Sequence, residues 1–267
     1  MSADEGPSLE TGCQSHFQAK RRDLQRNRVS DNSPPVAAAQ FDNCVYAEIA
    51  CAGDKERPVG MKIYDVTVPL SKELVVYPGD PHVKINRRTK VNEDDGKYNL
   101  SRYSFGSHAG THVDPPFHLI ENGLTVDRLP LELLLGRARV VEVTAPVIDE
   151  AVLEEFDFTV DARVLFKTRN SYLWSQKNFV KDYVHITPGA ARSLISDGIK
   201  VVGIDYLSVD KFDAEPETHM AFLQAGTIIV EGLDLREVEA GDYEMLCLPL
   251  KVKDGDGAPA RVVLRQN

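Results

Sequence analysis

The sequence predicts an α/β fold, and two observations carry that prediction. Short runs rich in Val, Ile and Leu recur from residue 61 onward, among them Arg137–Val143, Ile199–Ile204 and Thr227–Glu231, and turn residues separate them. Between such runs lie segments with helix punctuation. Thr187 and Pro188 open one that Gly198 closes, and a second runs from Glu217 to Gly226.

Residues 1–60 show no sustained periodicity. Ser, Gln, Asp and Asn mix there with the basic cluster Lys20–Arg28 and with Pro34–Pro35, which predicts a solvated tail carrying at most a short helix over 36–50. Asp4, Glu5 and Glu10 disfavour a transit peptide, and no secretory apolar core precedes them. From Met61 the chain reads as one domain, 61–267. Strands are expected over 62–68, over 74–77 running into the turn Pro78–Pro81, over 83–91 and over 99–105. Asn122–Gly123 marks a turn, 137–143 a strand, 149–156 a short helix and 163–167 a buried strand. Polar and aromatic residues mix over 168–174, which suits a loop above a pocket or an exposed loop anchored by Trp174. Asp205, Ser208 and Asp210 follow the strand 199–204, a position that hosts sites in α/β folds but that turns also fill with Asp and Ser. Two closing strands, 243–252 and 259–265, flank the glycine turn Asp254–Gly257 and read as structural.

Composition narrows the function classes. The chain has 267 residues, 42% apolar and 27% charged, enough for a sizeable core, and its net charge of −10 argues against nucleic acid and anionic membrane as partners. No apolar run approaches a membrane span. Cys13, Cys44 and Cys51 fall in the tail and Cys247 in a strand, so no metal-type cysteine spacing exists and a reduced, cytoplasmic chain is expected.

The densest chemistry lies in Ser104–His118, where His108, His112, His118 and Asp114 offer three imidazoles and a carboxylate, donors that suit Zn²⁺, Mn²⁺ or Fe²⁺. Gly106, Gly110 and Pro115–Pro116 argue against a helix, and in an extended segment His112 and Asp114 face the same way. A bend at Gly110 would turn His108 to the same point. Ala109 in place of glutamate removes the helical metalloprotease reading, and a loop of ordinary surface histidines is the bland alternative. No Gly-x-Ser-x-Gly elbow and no phosphate-cradling glycine loop is present. His219 on a helix and Glu231 closing an apolar strand are, taken singly, ordinary.

The run His108-x-Gly-Thr-His112-x-Asp114-x-Pro-x-His118 resembles the signature of the cyclase family of metal-dependent hydrolases, which includes bacterial kynurenine formamidases and isatin hydrolases. The resemblance covers 61–267. It implies a mixed β-sheet or barrel core with flanking helices, of swivelling β/β/α type, usually in a homodimer or higher homo-oligomer. It also implies that His219 and Glu231, with eleven residues between them, join His108, His112 and Asp114 as metal ligands. His118 then stands beside them as the catalytic acid/base, and Tyr77 walls the substrate pocket. Five ligands exceed one tetrahedral ion, so two ions, zinc or manganese, sharing Asp114 are expected, with one ion and spare acid/base groups as the alternative, and either arrangement would polarise a carbonyl for hydrolysis. The expected reaction is cleavage of N-formylkynurenine to kynurenine and formate. The alternatives are hydrolysis of a cyclic amide such as isatin, or a non-catalytic binding protein, which would have no need of a free base at His118.

Overall fold

The computed structural model describes residues 61–91, 96–158 and 162–266. The expected tail over 1–60, with its basic cluster, helix and three cysteines, lies outside them. Ten strands are present among the described residues: β1 (Lys62–Asp65), β2 (Lys84–Thr89), β3 (Leu100–Ser104), β4 (His112–Asp114), β5 (Leu135–Glu142), β6 (Arg163–Lys167), β7 (Val201–Ile204), β8 (Ile228–Glu231), β9 (Gly241–Pro249) and β10 (Ala258–Gln266). Four α-helical segments join them: α1 (Leu131–Leu134), α2 (Glu150–Leu153), α3 (Pro188–Ser196) and α4 (Glu217–Gln224).

Seven strands close on themselves in the order β10-β4-β8-β7-β6-β5-β9 and back to β10, with β1 added on the flank of β10. The pairs β5–β6, β6–β7 and β7–β8 are parallel and the other ring pairs antiparallel, so the barrel is mixed. Alternation along each strand fills two cores. Inward residues from all seven strands, among them Val113, Val140, Leu165, Val201, Val230, Met245 and Val262, fill the barrel. Outward residues of the parallel side, such as Phe166, Val202, Ile204 and Ile229, pack against Ala190, Ala191 and Leu194 of α3 and Phe222 and Leu223 of α4. Helices α3 and α4 arise where the punctuation places them. Thr187 Oγ1 accepts from the Ala190 N–H at 3.1 Å, Pro188 occupies the first turn, and Gly198 and Gly226 follow the ends.

Two expected elements differ. Residues 74–77 pair with no strand among those described. Their alternation is spent on packing, with Leu74 in one cluster beside Val68, Val83 and Ala109, and Val75 and Tyr77 in another beside Tyr206 and Phe212. The stretch 168–174 belongs to a 3₁₀ segment, Arg169–Ser175, and does not overhang the cleft described below. Its polar groups serve the buried Asp205 carboxylate, which accepts from the backbone N–H and hydroxyl of both Thr168 and Ser171 at 2.7–3.0 Å. Trp174 Nε1 donates to Leu233 O at 2.9 Å, so the anchoring alternative describes this stretch. No helix among the described residues is long and apolar enough to cross a membrane.

Candidate metal centre

Strand register builds the centre. β4 pairs antiparallel with β8, and His112 lies opposite Glu231 while Val113 lies opposite Val230. Because Val113 and Val230 point into the barrel, His112, Asp114 and Glu231 point outward, on the side that α4 covers. That helix lowers the buried His219 onto them. Gly110, at φ +68, makes the bend before β4 that returns His108 to the same place, a conformation strained for any side chain. Thr111 fastens the junction: its hydroxyl donates to Gly232 O at 2.5 Å and accepts from Val68 N–H at 2.8 Å.

The functional atoms converge tightly. His112 Nε2 stands 3.4 Å from both Asp114 Oδ1 and Glu231 Oε2, and His219 Nε2 stands 3.1 Å from Glu231 Oε1 and 3.6 Å from Asp114 Oδ2. His108 Nδ1 lies 2.7 Å from Asp114 Oδ1. The two oxygens of Asp114 therefore face different imidazoles. Each of these three rings is also tied on its outer nitrogen: His112 Nδ1–H donates to Gly110 O at 2.8 Å, His219 Nδ1 meets Asp210 Oδ2 at 2.5 Å, and His108 Nε2 meets Asp256 Oδ2 at 3.1 Å. Such ties fix which nitrogen faces inward. His112 Nε2 and Asp114 Oδ2 are fully buried and have no hydrogen-bond partner, a costly state for polar atoms in a core. Orphaned inward atoms on an N/O donor set fit a borderline divalent cation.

The electrostatics have the same character. Burial alone would raise the carboxyls and lower the imidazoles, but the crowding of opposite charges reverses both effects. Asp114 is held well below the carboxylate range by His112, His108 and His219, and Glu231 is brought to about 2 by His219 and His112. Against burial, Asp114 and Asp256 lift His108 to about 9, and Glu231 with Asp114 and Asp210 raises His219 well above its ordinary value. Divalent ions could take the place of the protons those imidazoles hold.

His118 differs from its neighbours. Its ring sits 4.1 Å from that of His108 and 5.7 Å from that of His219, and its donor atoms come within 4.8 Å of those of Asp114 and His219, yet it makes no hydrogen bond through its ring to any described residue. Burial pushes it below its ordinary value, with His108 and His219 adding to the effect against Asp114 and Glu231, so it is neutral near pH 7. It borders a cleft of about 220 Å³ whose walls include Tyr77, Asp80, Leu207 and Lys211. Tyr77 is backed by the rings of Phe179 and Phe212, at 5.3 and 5.9 Å. All seven candidate residues thus line or adjoin one site. Reading the sequence alone missed Asp256 and left Asp210 unresolved between site and turn, and the signal for Asp210 was its place after a parallel strand. It also missed Lys211, while Asp80 lies in the turn after Tyr77 that the family resemblance sets beside the substrate pocket. Neither has a charged partner among the described residues.

Comparison with known proteins places the chain in a family. The cyclase family profile matches residues 64–211, which contain the first motif and Asp210 but stop short of His219 and Glu231. A kynurenine formamidase of Salinibacter ruber is 38% identical over 208 residues, 77% of this chain and 98% of that protein. A solved potential metal-dependent hydrolase with cyclase activity is 35% identical with a TM-score of 0.67, covering 78% of this chain and 98% of that one. Isatin hydrolase A from Ralstonia solanacearum is 20% identical with a TM-score of 0.69 over 90% of this chain and all of that one, a likeness of fold. With a profile match over more than half its length and a relative spanned almost end to end, this chain belongs to the cyclase family.

Proposed function

We propose that this chain is a metal-dependent amidohydrolase that cleaves N-formylkynurenine to kynurenine and formate. The observation that carries the reading is the convergent set His108, His112, Asp114, His219 and Glu231, with two orphaned buried atoms at its centre and the uncommitted His118 at its edge. Asp114's two oxygens face different imidazoles, and His108, His112, Asp114, His219 and Glu231 would together hold two divalent ions, zinc or manganese. When bound, such ions polarise a carbonyl and acidify water. The chain's own groups do the rest. His118, neutral near pH 7, takes a proton from the attacking water as its oxygen bonds to the formyl carbon; as the C–N bond breaks, the same proton goes to the leaving nitrogen. Tyr77 offers an aryl group a ring to pack against.

Lys211 and Asp80 favour formylkynurenine over isatin. Opposite charges without ion-pair partners among the described residues line the same cleft, and the substrate's amino-acid end carries a carboxylate and an ammonium to match them. Isatin carries neither. A second copy of the chain is the proposed cover for the hairpin β2–β3, which exposes Tyr98, Leu100 and Tyr103 at 50–62%. Tyr103→Asp should then give monomers in sedimentation equilibrium, and an unchanged mass would remove this surface from the interface. The function itself is tested by assaying manganese- or zinc-loaded protein on N-formylkynurenine and on isatin. Turnover of the first at a kcat/KM well above the second is expected; the reverse preference would make it a cyclic-amide hydrolase, and turnover of neither a binding protein.

A further inference from the structure

The tie on His108 comes from a turn that reads as purely structural. Asp256, between β9 and β10, accepts from Ser107 Oγ–H at 2.9 Å and lies 3.1 Å from His108 Nε2. The turn is held for this: Val126 N–H donates to Gly255 O at 3.0 Å and Asp254 N–H to Asp127 Oδ1 at 3.1 Å. Next to Asp256, a Cβ on Gly257 would stand 2.6 Å from His108 Cε1 and 3.0–3.1 Å from both ring nitrogens, so the imidazole lies flat against a residue that must be glycine. The His108 side chain is 20% exposed, while those of His112 and His219 are at most 9%. Packing alone restrains it least.

We propose that Asp256 is a positioning residue of the metal centre, holding the Nε2–H of His108 against the Gly257 backbone so that Nδ1 faces Asp114. This rests on the metal-centre reading above. With Nε2–H donated to Asp256, Nδ1 is the nitrogen directed at Asp114 Oδ1, 2.7 Å away, and the one that would exchange its proton for a cation. The centre then draws on three separate parts of the chain, 108–118, 210–231 and the 254–257 turn, and closes only when β10 has docked between β9 and β4.

The test is calorimetric titration of the full metal-free chain with Mn²⁺, together with the visible spectrum of its Co²⁺ form. Asp256→Ala should weaken Mn²⁺ binding about 10- to 100-fold and shift the Co²⁺ bands. Asp256→Asn keeps an acceptor for the Nε2–H and should stay within about threefold of wild type. Gly257→Ala should weaken binding with Asp256 intact. In a His108→Ala background, Asp256→Ala should add no further loss. Wild-type affinity and spectrum in Asp256→Ala, equal losses in the Ala and Asn variants, or additive losses with His108→Ala would each overturn the positioning role. Failure of the metal-centre reading is a separate result: the wild-type chain itself would bind no Mn²⁺ or Co²⁺.

Discussion

His118 and Lys211 are the residues on which chemistry and selectivity can be separated. His118 lies beside the inward-facing imidazoles without sharing their outer ties, so its removal should spare the metal and strike proton transfer. His118→Asn is expected to keep its metal by elemental analysis while kcat falls about 10²- to 10⁴-fold. Loss of metal in that variant would make His118 a ligand. Lys211 is exposed and its charge is screened, so the expected effect is modest. Lys211→Gln should raise KM for N-formylkynurenine about tenfold and leave kcat nearly unchanged. If kcat falls instead and KM holds, Lys211 does not bind the substrate's carboxylate.

At the scale of elements, the helix signals were legible because they are local. Thr187, Pro188 and Gly198 act within a few residues of themselves, and α3 starts and stops accordingly. Thr187→Ala removes the cap bond to Ala190 N–H and should destabilise the protein by about 1 kcal/mol. For a domain of this size that is a fall of about 2–4 °C in melting temperature, measurable by calorimetry. An unchanged value would mean that solvent caps the helix equally well. The run 74–77 differs from expectation for the opposite reason: a short apolar run reports burial, and whether a partner strand lies alongside is decided by distant chain. Residues 168–174 were ambiguous because Asp205, the acceptor that organises Thr168 and Ser171, is more than thirty residues away.

Across the whole molecule, the charge cluster sets how stability depends on pH and metal. In metal-free protein the His108 imidazole, about 6.5 when unfolded, is raised to about 9 by Asp114 and Asp256 after burial is overcome, and His219 is raised as well. Groups raised on folding stabilise fully below the unfolded value and lose that contribution as pH climbs through the folded one. The melting temperature of metal-free protein should therefore drop between about pH 6.5 and 9. Glu231, about 4.5 unfolded and about 2 folded, acts at the other end, its contribution lost as pH falls through that interval. Metal-loaded protein should melt higher and show a flatter alkaline limb, since the ions replace the imidazole protons. Equal alkaline slopes with and without Mn²⁺ would show that the cluster does not hold the ion.

Local pattern is enough for the class of the fold, the helices α3 and α4, the extended backbone of 112–114 and the donors in the first motif, because each depends on periodicity or on spacing within about ten residues. The sequence's resemblance to the cyclase family linked that motif to His219 and Glu231, which spacing alone could not. Closure of seven strands into a barrel, the register that sets His112 opposite Glu231, and the arrival of Asp210, Lys211 and Asp256 were decided by tertiary structure. Strand partners and charges contributed by distant turns leave no periodic trace in a chain. They exist only once the barrel has closed and β10 has carried its turn against His108.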